Sequence, residues 1–550
     1  MSTPNPAPAR TGRRGVLNGT LPRLGLPGSR AAALHDADHE DANLPSSARH
    51  LHRFAVLRWI GTVGTLLIAV GALGAGALPV VANPYVHAPL GSLMSRMLQA
   101  SSIVVFVGVA LMVVSWVLMA PVVGATRSAI AVPLDYIKRT FVAWTLPLLV
   151  TAPLFTQDIY SYLAQGSIVA QGMDPYAAGP VELLGTENHL ARSVPFIWAQ
   201  SPSPYGPVAL GIAAAISVLT ADNITLGVIA HRLVSIAGLV AASWAVSRLA
   251  RRCNVSPTTA LWLGILNPLT ILHLVGGIHN ESILLGLLLV GLEVALRGIA
   301  RLERGARRSG WALTLLSAAL ITCAGLVKVT GFMGLGFTGM ALAAYFARGG
   351  LNKWGAILAA GLVKTLTLVA TVAVASAVTG IGLGWVTGQG GAATIRSWMS
   401  MTTDLGVIFG FLGMLLDLGD HTEAALGITR SVGLAVAAGF ILRMLFATFA
   451  GRIHPVGGLG VGTLVLVFLF PVVHPWYLLW AIVPMAAWAN RMFFRVVVVV
   501  YSAVMSFTVL PRGLALPPDT VITIYLGAIV SALLVIVAGW FILRKLRWIP

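Results

Sequence analysis

The sequence predicts an all-α polytopic integral membrane protein. Of its 550 residues, 57% are hydrophobic and only 10% charged. The mean hydropathy is +0.87. Many apolar runs approach or exceed the 18 residues that a spanning helix needs. The short alternating segments of a membrane β-barrel are missing.

The net charge of +18 would raise nucleic acid in a soluble chain. Here the basic residues gather between apolar runs, so they read as topology signals and as attraction to anionic membrane lipids, with no nucleic-acid partner. Cys253 and Cys323 have no metal-ligand spacing and form no convincing pair.

Taken in order, residues 1–50 are rich in Pro, Gly, Ala and Arg, with an acidic patch from Asp36 to Asp41. They read as a disordered cytoplasmic tail, and residues 51–550 as the transmembrane domain. Apolar runs follow at 54–82, 101–123 and 140–157. The link bearing Arg127, Lys138 and Arg139 falls inside, so Asp158 emerges on the outer face. Residues 158–226 form a long outer loop whose Tyr, Trp and Pro content predicts order. Within it, 206–222 is apolar, but a crossing there would put Arg248, Arg251 and Arg252 outside. It is therefore expected to lie along the membrane.

Further spans are expected at 227–249, 258–275, 281–299, 311–327, 330–347 and 355–379. A second outer loop, 380–429, contains the short apolar stretch 404–418. Spans at 430–449, 458–473, 476–489, 493–511 and 521–543 complete the chain. The basic links Arg301 to Arg308 and Arg348 to Lys353 then lie inside, as do Arg443, Arg452, Arg491, Arg495, Arg544 and Lys545. The expected total is about 14 spans, with both termini cytoplasmic.

This topology was fixed by the basic links alone, yet it also sorts the intramembrane polar groups. Asp158, His279, Asn280, Glu281, Lys328, Arg430, His474 and Arg512 all fall at outer ends of spans. A charge at such depth costs about 3 kcal/mol on insertion scales. One acid among several cations suits an anionic substrate group held beside a carboxylate, and a lipid-linked phosphate is the obvious candidate. Arg offers it a bidentate fork and Lys a point charge. Each signal has a bland counterpart: Lys328 as a snorkelling lysine, His279-Asn280-Glu281 as a helix cap, His474-Pro475-Trp476-Tyr477 as an aromatic belt. Asp158 itself is a good N-cap for a helix from Ile159 to Gln171.

Five short motifs carry a resemblance: Gln157-Asp158-Ile159-Tyr160-Ser161-Tyr162, Gly172-Met173-Asp174-Pro175-Tyr176, Ser203-Pro204-Tyr205-Gly206-Pro207, Leu326-Val327-Lys328-Val329-Thr330 and His474-Pro475-Trp476-Tyr477. In that order the chain resembles the GT-C superfamily of membrane glycosyltransferases. It is most similar to actinobacterial polyprenol-phosphomannose-dependent α-1,6-mannosyltransferases that build lipomannan. The resemblance implies a GT-C fold with juxtamembrane helices in an outer-face catalytic loop, in a multi-pass plasma-membrane enzyme. Polyprenyl-phosphate-mannose would be the donor and a lipid-linked mannan the acceptor. Asp158 would be the catalytic base. The donor phosphate is assigned to Lys328, Arg430, His474, Arg512 and His279. The sugar and acceptor are assigned to Tyr160, Tyr162, Asp174, Tyr205, Asn280, Glu281 and Trp476, with Trp198 a further stacking candidate. No metal ligands and no cofactor are expected. One departure stands out: in many GT-C enzymes the acidic loop follows the first span, and here two extra spans precede it. The competing readings are a sister GT-C enzyme using another polyprenyl-phosphate sugar, such as arabinose, and a lipid or solute transporter. The latter predicts polar residues spread through the midplane.

Overall fold

The computed structural model describes residues 44–79, 83–126, 130–388 and 395–545. Most of the expected tail, including Asp36 to Asp41, lies outside them. The rest of it is not a tail: the first helix, Ala48–Ala75, opens inside that range, and Leu44–Pro45 pairs with Ile130–Ala131 in a two-residue parallel bridge. Otherwise the protein is an all-α membrane protein.

Eight helices among the described residues are long and apolar enough to cross a membrane: Ala48–Ala75, Leu98–Val122, Ile224–Arg252, Glu281–Glu303, Val329–Arg348, Lys353–Thr379, Thr422–Phe449 and Pro518–Lys545. Each coincides with an expected span. Helices Pro207–Thr220 and Met401–Leu415 have only 14 and 15 residues, at about 1.5 Å per residue too short to cross unaided. Three further expected spans are also short helices: Pro455–Leu469, Pro475–Ala486 and Met492–Met505.

Two expected spans are broken. The run 140–157 is helical only as far as Thr145, the end of helix Leu134–Thr145. Pro147 then starts a single 3₁₀ turn, Pro147–Val150, and the chain continues extended to Asp158. The run 258–275 starts as helix Pro257–Gly264 and stops before Pro268. There Asn267 Oδ1 accepts from Leu269 N at 3.0 Å, and a wide π-helical segment, Thr270–Gly276, follows. Hydropathy misjudged both runs because it does not register proline's missing N–H.

Irregular backbone among buried apolar helices needs partners for its carbonyls. Arg232, on helix Ile224–Arg252 and fully buried, supplies them. Its Nη1 donates to Leu149 O at 3.0 Å and Thr151 O at 2.7 Å, its Nε to Val275 O at 3.1 Å and its Nη2 to Gly276 O at 3.5 Å. One guanidinium thus satisfies both broken segments. Elsewhere the helices meet through small residues. A Cβ on Gly64 would come within 2.6 Å of Gly108 O, so helices Ala48–Ala75 and Leu98–Met119 approach backbone to backbone.

Replacing Arg232 with Met removes the guanidinium donor from four carbonyls, of which Gly276 O keeps Leu154 N. The expected cost is about 3 kcal/mol or more. A thermal unfolding series in detergent should show a clearly lower midpoint for Arg232→Met. An unchanged midpoint would remove Arg232 from this structural role.

Candidate active site

The broken segments deliver the site. Leu154 N donates to Gly276 O at 3.1 Å and Phe155 N to Pro511 O at 2.7 Å, tying the extended strand to both neighbours. Phe155 and Ile278 both take positive φ, 64° and 59°. Such a conformation is strained for a bulky or β-branched residue and persists only where packing imposes it. The two turns aim Asp158 and His279 into one cleft.

Asp158 opens helix Asp158–Ala170, and its N–H donates to Thr156 Oγ1 at 3.1 Å. Its Oδ1 accepts from Trp198 Nε1 at 3.0 Å. Its Oδ2 lies 3.7 Å from His279 Nδ1, beyond hydrogen-bond reach. The side chain is 26% exposed and lines the cleft. Burial pushes its carboxyl above the usual carboxylate range. The Trp198 hydrogen bond works against that shift, and the negative charge of Glu281 adds to it.

Across the cleft Lys328 Nζ donates to Glu281 Oε1 at 2.7 Å. The ammonium also sits 4.2 Å from the centre of the Tyr477 ring and 4.7 Å from that of Trp480, where cation–π attraction stabilises it. Burial pulls the Lys328 ammonium down. The facing Glu281 carboxylate, with Tyr477 and Tyr205, outweighs burial and holds it above the ordinary lysine value.

The third wall is aromatic. Trp476 stacks on His279 at 4.2 Å, on His474 at 4.6 Å and on His273 at 4.8 Å between ring centres. Burial, reinforced by Lys328, lowers His474 to about 4 and holds His279 well below the usual histidine range. Both rings are therefore neutral near pH 7. Tyr205 stands edge-on to Tyr162 with ring centres 5.3 Å apart, and its hydroxyl donates to Tyr162 Oη at 3.3 Å.

The cleft thus gathers Asp158, Tyr162, Tyr205, His279, Glu281, Lys328, His474 and Trp476. Other residues expected there stand apart from its lining. Arg430 Nε donates to Thr403 Oγ1 at 3.1 Å and its Nη2 to Ile395 O at 3.0 Å, so it braces the wall that Ile395 belongs to. Arg512 is in the turn whose Gly513 packs against Thr156, behind the strand leading to Asp158. Tyr160 is buried, its hydroxyl donating to Ala77 O at 2.5 Å. Asp174 accepts from Tyr176 N at 2.9 Å and shapes an exposed turn. Asn280 starts helix Glu281–Glu303, its carbonyl accepting from Ile283 and Leu284.

Three features were not anticipated: the grip of Trp198 on Asp158, the pairing of Lys328 with Glu281, and Tyr477 and Trp480 beneath the ammonium. Lys328 was read as a free cation because its chain neighbours are uncharged, but its partner is 47 residues away. The spacing of 477 and 480, one helical turn, was the available clue.

Fold and cleft together describe a membrane-embedded protein whose cleft holds one carboxylate without a cation and, opposite, a second paired with Lys328. The comparisons give the reaction class: the chain is a glycosyltransferase. It belongs to the alpha-(1->6)-mannopyranosyltransferase family. The family described as "Alpha-(1->6)-mannopyranosyltransferase, N-terminal domain" matches residues 58–344, and "MptB C-terminal domain" matches 402–537. Alpha-(1->6)-mannopyranosyltransferase B of Corynebacterium glutamicum is 61% identical, over 96% of this chain and 92% of its own length. A probable alpha-(1->6)-mannopyranosyltransferase of Mycolicibacterium smegmatis is 39% identical over 96% of this chain and 95% of its own. An alpha-(1->6)-mannopyranosyltransferase of Mycobacterium tuberculosis is 40% identical over 84% of each. No solved structure matches the chain.

Breaking a buried ion pair from one side costs about 3–5 kcal/mol, because it strands the other charge. Glu281→Gln and Lys328→Met should each lower the unfolding midpoint. The double variant should lose clearly less than their sum. Strict additivity in that cycle would mean that the two groups are not coupled.

Proposed function

We propose that this enzyme transfers mannose from a polyprenyl-phosphate-mannose to a lipid-linked mannan and forms α-1,6 linkages in lipomannan and lipoarabinomannan. The cleft belongs on the outer face of the plasma membrane, with both termini cytoplasmic and a GT-C arrangement of the helices. The observation that carries the reading is Asp158, deep in a cleft and alone among its carboxylates in having no cation against it. Glu281, the other carboxylate there, is occupied by Lys328. The names of the relatives support α-1,6-mannosyl transfer.

The chemistry follows from the groups present. In a β-linked donor, attack by a sugar hydroxyl at the anomeric carbon inverts it to α. Asp158 accepts the hydroxyl proton as the new C–O bond forms, and the C–O bond to phosphate breaks. The polyprenyl phosphate leaves with the bonding electrons. Lys328 faces the charge that gathers on it: an ammonium has three N–H donors, and Glu281 takes one. Neutral His474 and His279 offer further hydrogen-bonding edges. Trp198, Tyr205 and Trp476 give flat apolar surfaces for sugar rings. A good leaving group makes one enzyme carboxylate sufficient.

Asp158→Asn should lower mannosyl transfer from synthetic polyprenyl-phosphate-mannose by about 10²–10⁴-fold. The protein should remain folded, since the amide keeps its acceptor toward Trp198. Near-parent turnover would reject Asp158 as base. The base works only when ionised, so the rate falls as pH drops through its pKa. The Trp198 indole stabilises the charged form, and losing it raises that pKa. In Trp198→Phe the acid limb of the kcat–pH profile should therefore move to higher pH; a shift toward lower pH would contradict the hydrogen bond's role.

A further inference from the structure

A second cleft lies at the far end of the molecule. Helix Ala48–Ala75 finishes beside the active site, where Ala77 accepts from Tyr160. Its 28 residues carry its start about 42 Å away. There, between the first turns of this helix, the far half of Leu98–Met119 and the last turns of Pro518–Lys545, is a cavity of about 790 Å³. That volume is in the range of sites that enclose a sizeable organic ligand.

The cleft is graded along its length. On helix Ala48–Ala75 the lining positions include Arg49 and Arg53 at the mouth, then Val56, Leu57, Ile60 and Val63 deeper in. This is one helical stripe that starts cationic and turns aliphatic. His50 and His52 join the mouth, and among the described residues no Asp or Glu lines the cleft. Opposite, Trp540 lines the wall, and the Arg544 guanidinium lies 5.2 Å from the centre of its ring. Leu111, Val114 and Leu118 close the apolar floor.

From this grading we infer that the cleft is a binding site for a phospholipid of net negative charge. Arg49 and Arg53 are one turn apart on the same helix face, so both can reach a single phosphate. The acyl chains lie along the aliphatic stripe. Trp540 sits where an aromatic side chain bridges headgroup and hydrocarbon. A zwitterionic lipid lacks the net charge that Arg49 and Arg53 call for. Soluble phosphate lacks the chains.

The experiment uses the full chain, delipidated in detergent. Retained lipid is counted by native mass spectrometry and the unfolding midpoint is followed after adding phosphatidylglycerol, phosphatidylcholine or inorganic phosphate. Phosphatidylglycerol should be retained and raise the midpoint; the other two should not. R49Q/R53Q should weaken retention by about tenfold or more. V114W, which fills the apolar floor and leaves the charges, should also weaken it. R304Q/R308Q removes two arginines from the exposed link after helix Glu281–Glu303, at the same end of the molecule, and should leave retention unchanged. Equal retention of phosphatidylcholine, equal loss in R304Q/R308Q, or full retention in R49Q/R53Q and V114W overturns the site. No retention of any lipid also overturns it.

Discussion

Much of this structure rests on one guanidinium. A membrane-embedded chain cannot leave carbonyls bare in a dry interior, and this chain interrupts two helices there. Arg232 reaches both interruptions and donates to all four of the carbonyls named above. Without it the 3₁₀ turn at Pro147–Val150 and the π-helical segment Thr270–Gly276 would need water or would have to become regular helix. Regular helix would carry Asp158 and His279 out of register. Irregular backbone builds the cleft, and a buried cation makes the irregularity tolerable.

The cleft then separates its two carboxylates by environment. Glu281 is 3% exposed and held by Lys328 at 2.7 Å. Asp158 has a neutral indole for a partner and an opening to the cleft. One carboxylate is thereby fixed as a counter-ion, and the other is left facing the cleft without a cation against it. Nearby aromatic rings also support the ammonium.

How much of this was legible in the sequence depended on range. Helix class and most long spans were readable, because hydropathy is a local sum. Asp158, Lys328, His279 and His474 were found as charges or polar groups in apolar company, which is local too. Reading failed where partners are distant in sequence: Lys328 with Glu281, Trp198 with Asp158, Arg232 with four carbonyls. Arg430 and Arg512 were assigned to the pocket by their place at span ends. A span end fixes depth but not direction around the helix axis: neither arginine lines the cleft, and Arg430 donates to Thr403 and Ile395. Pro147 and Pro268 were visible, but a hydropathy window averages over them.

The histidine wall has a consequence for anyone perturbing it. His273, His279 and His474 all rest on the one indole of Trp476, and His279 also stands beside Asp158. Removing any one ring lets the indole tilt, and the others then lose their footing. Effects of substitutions here will not sum. Epistasis is built into this face of the cleft, and sequence change along it is confined to concerted routes.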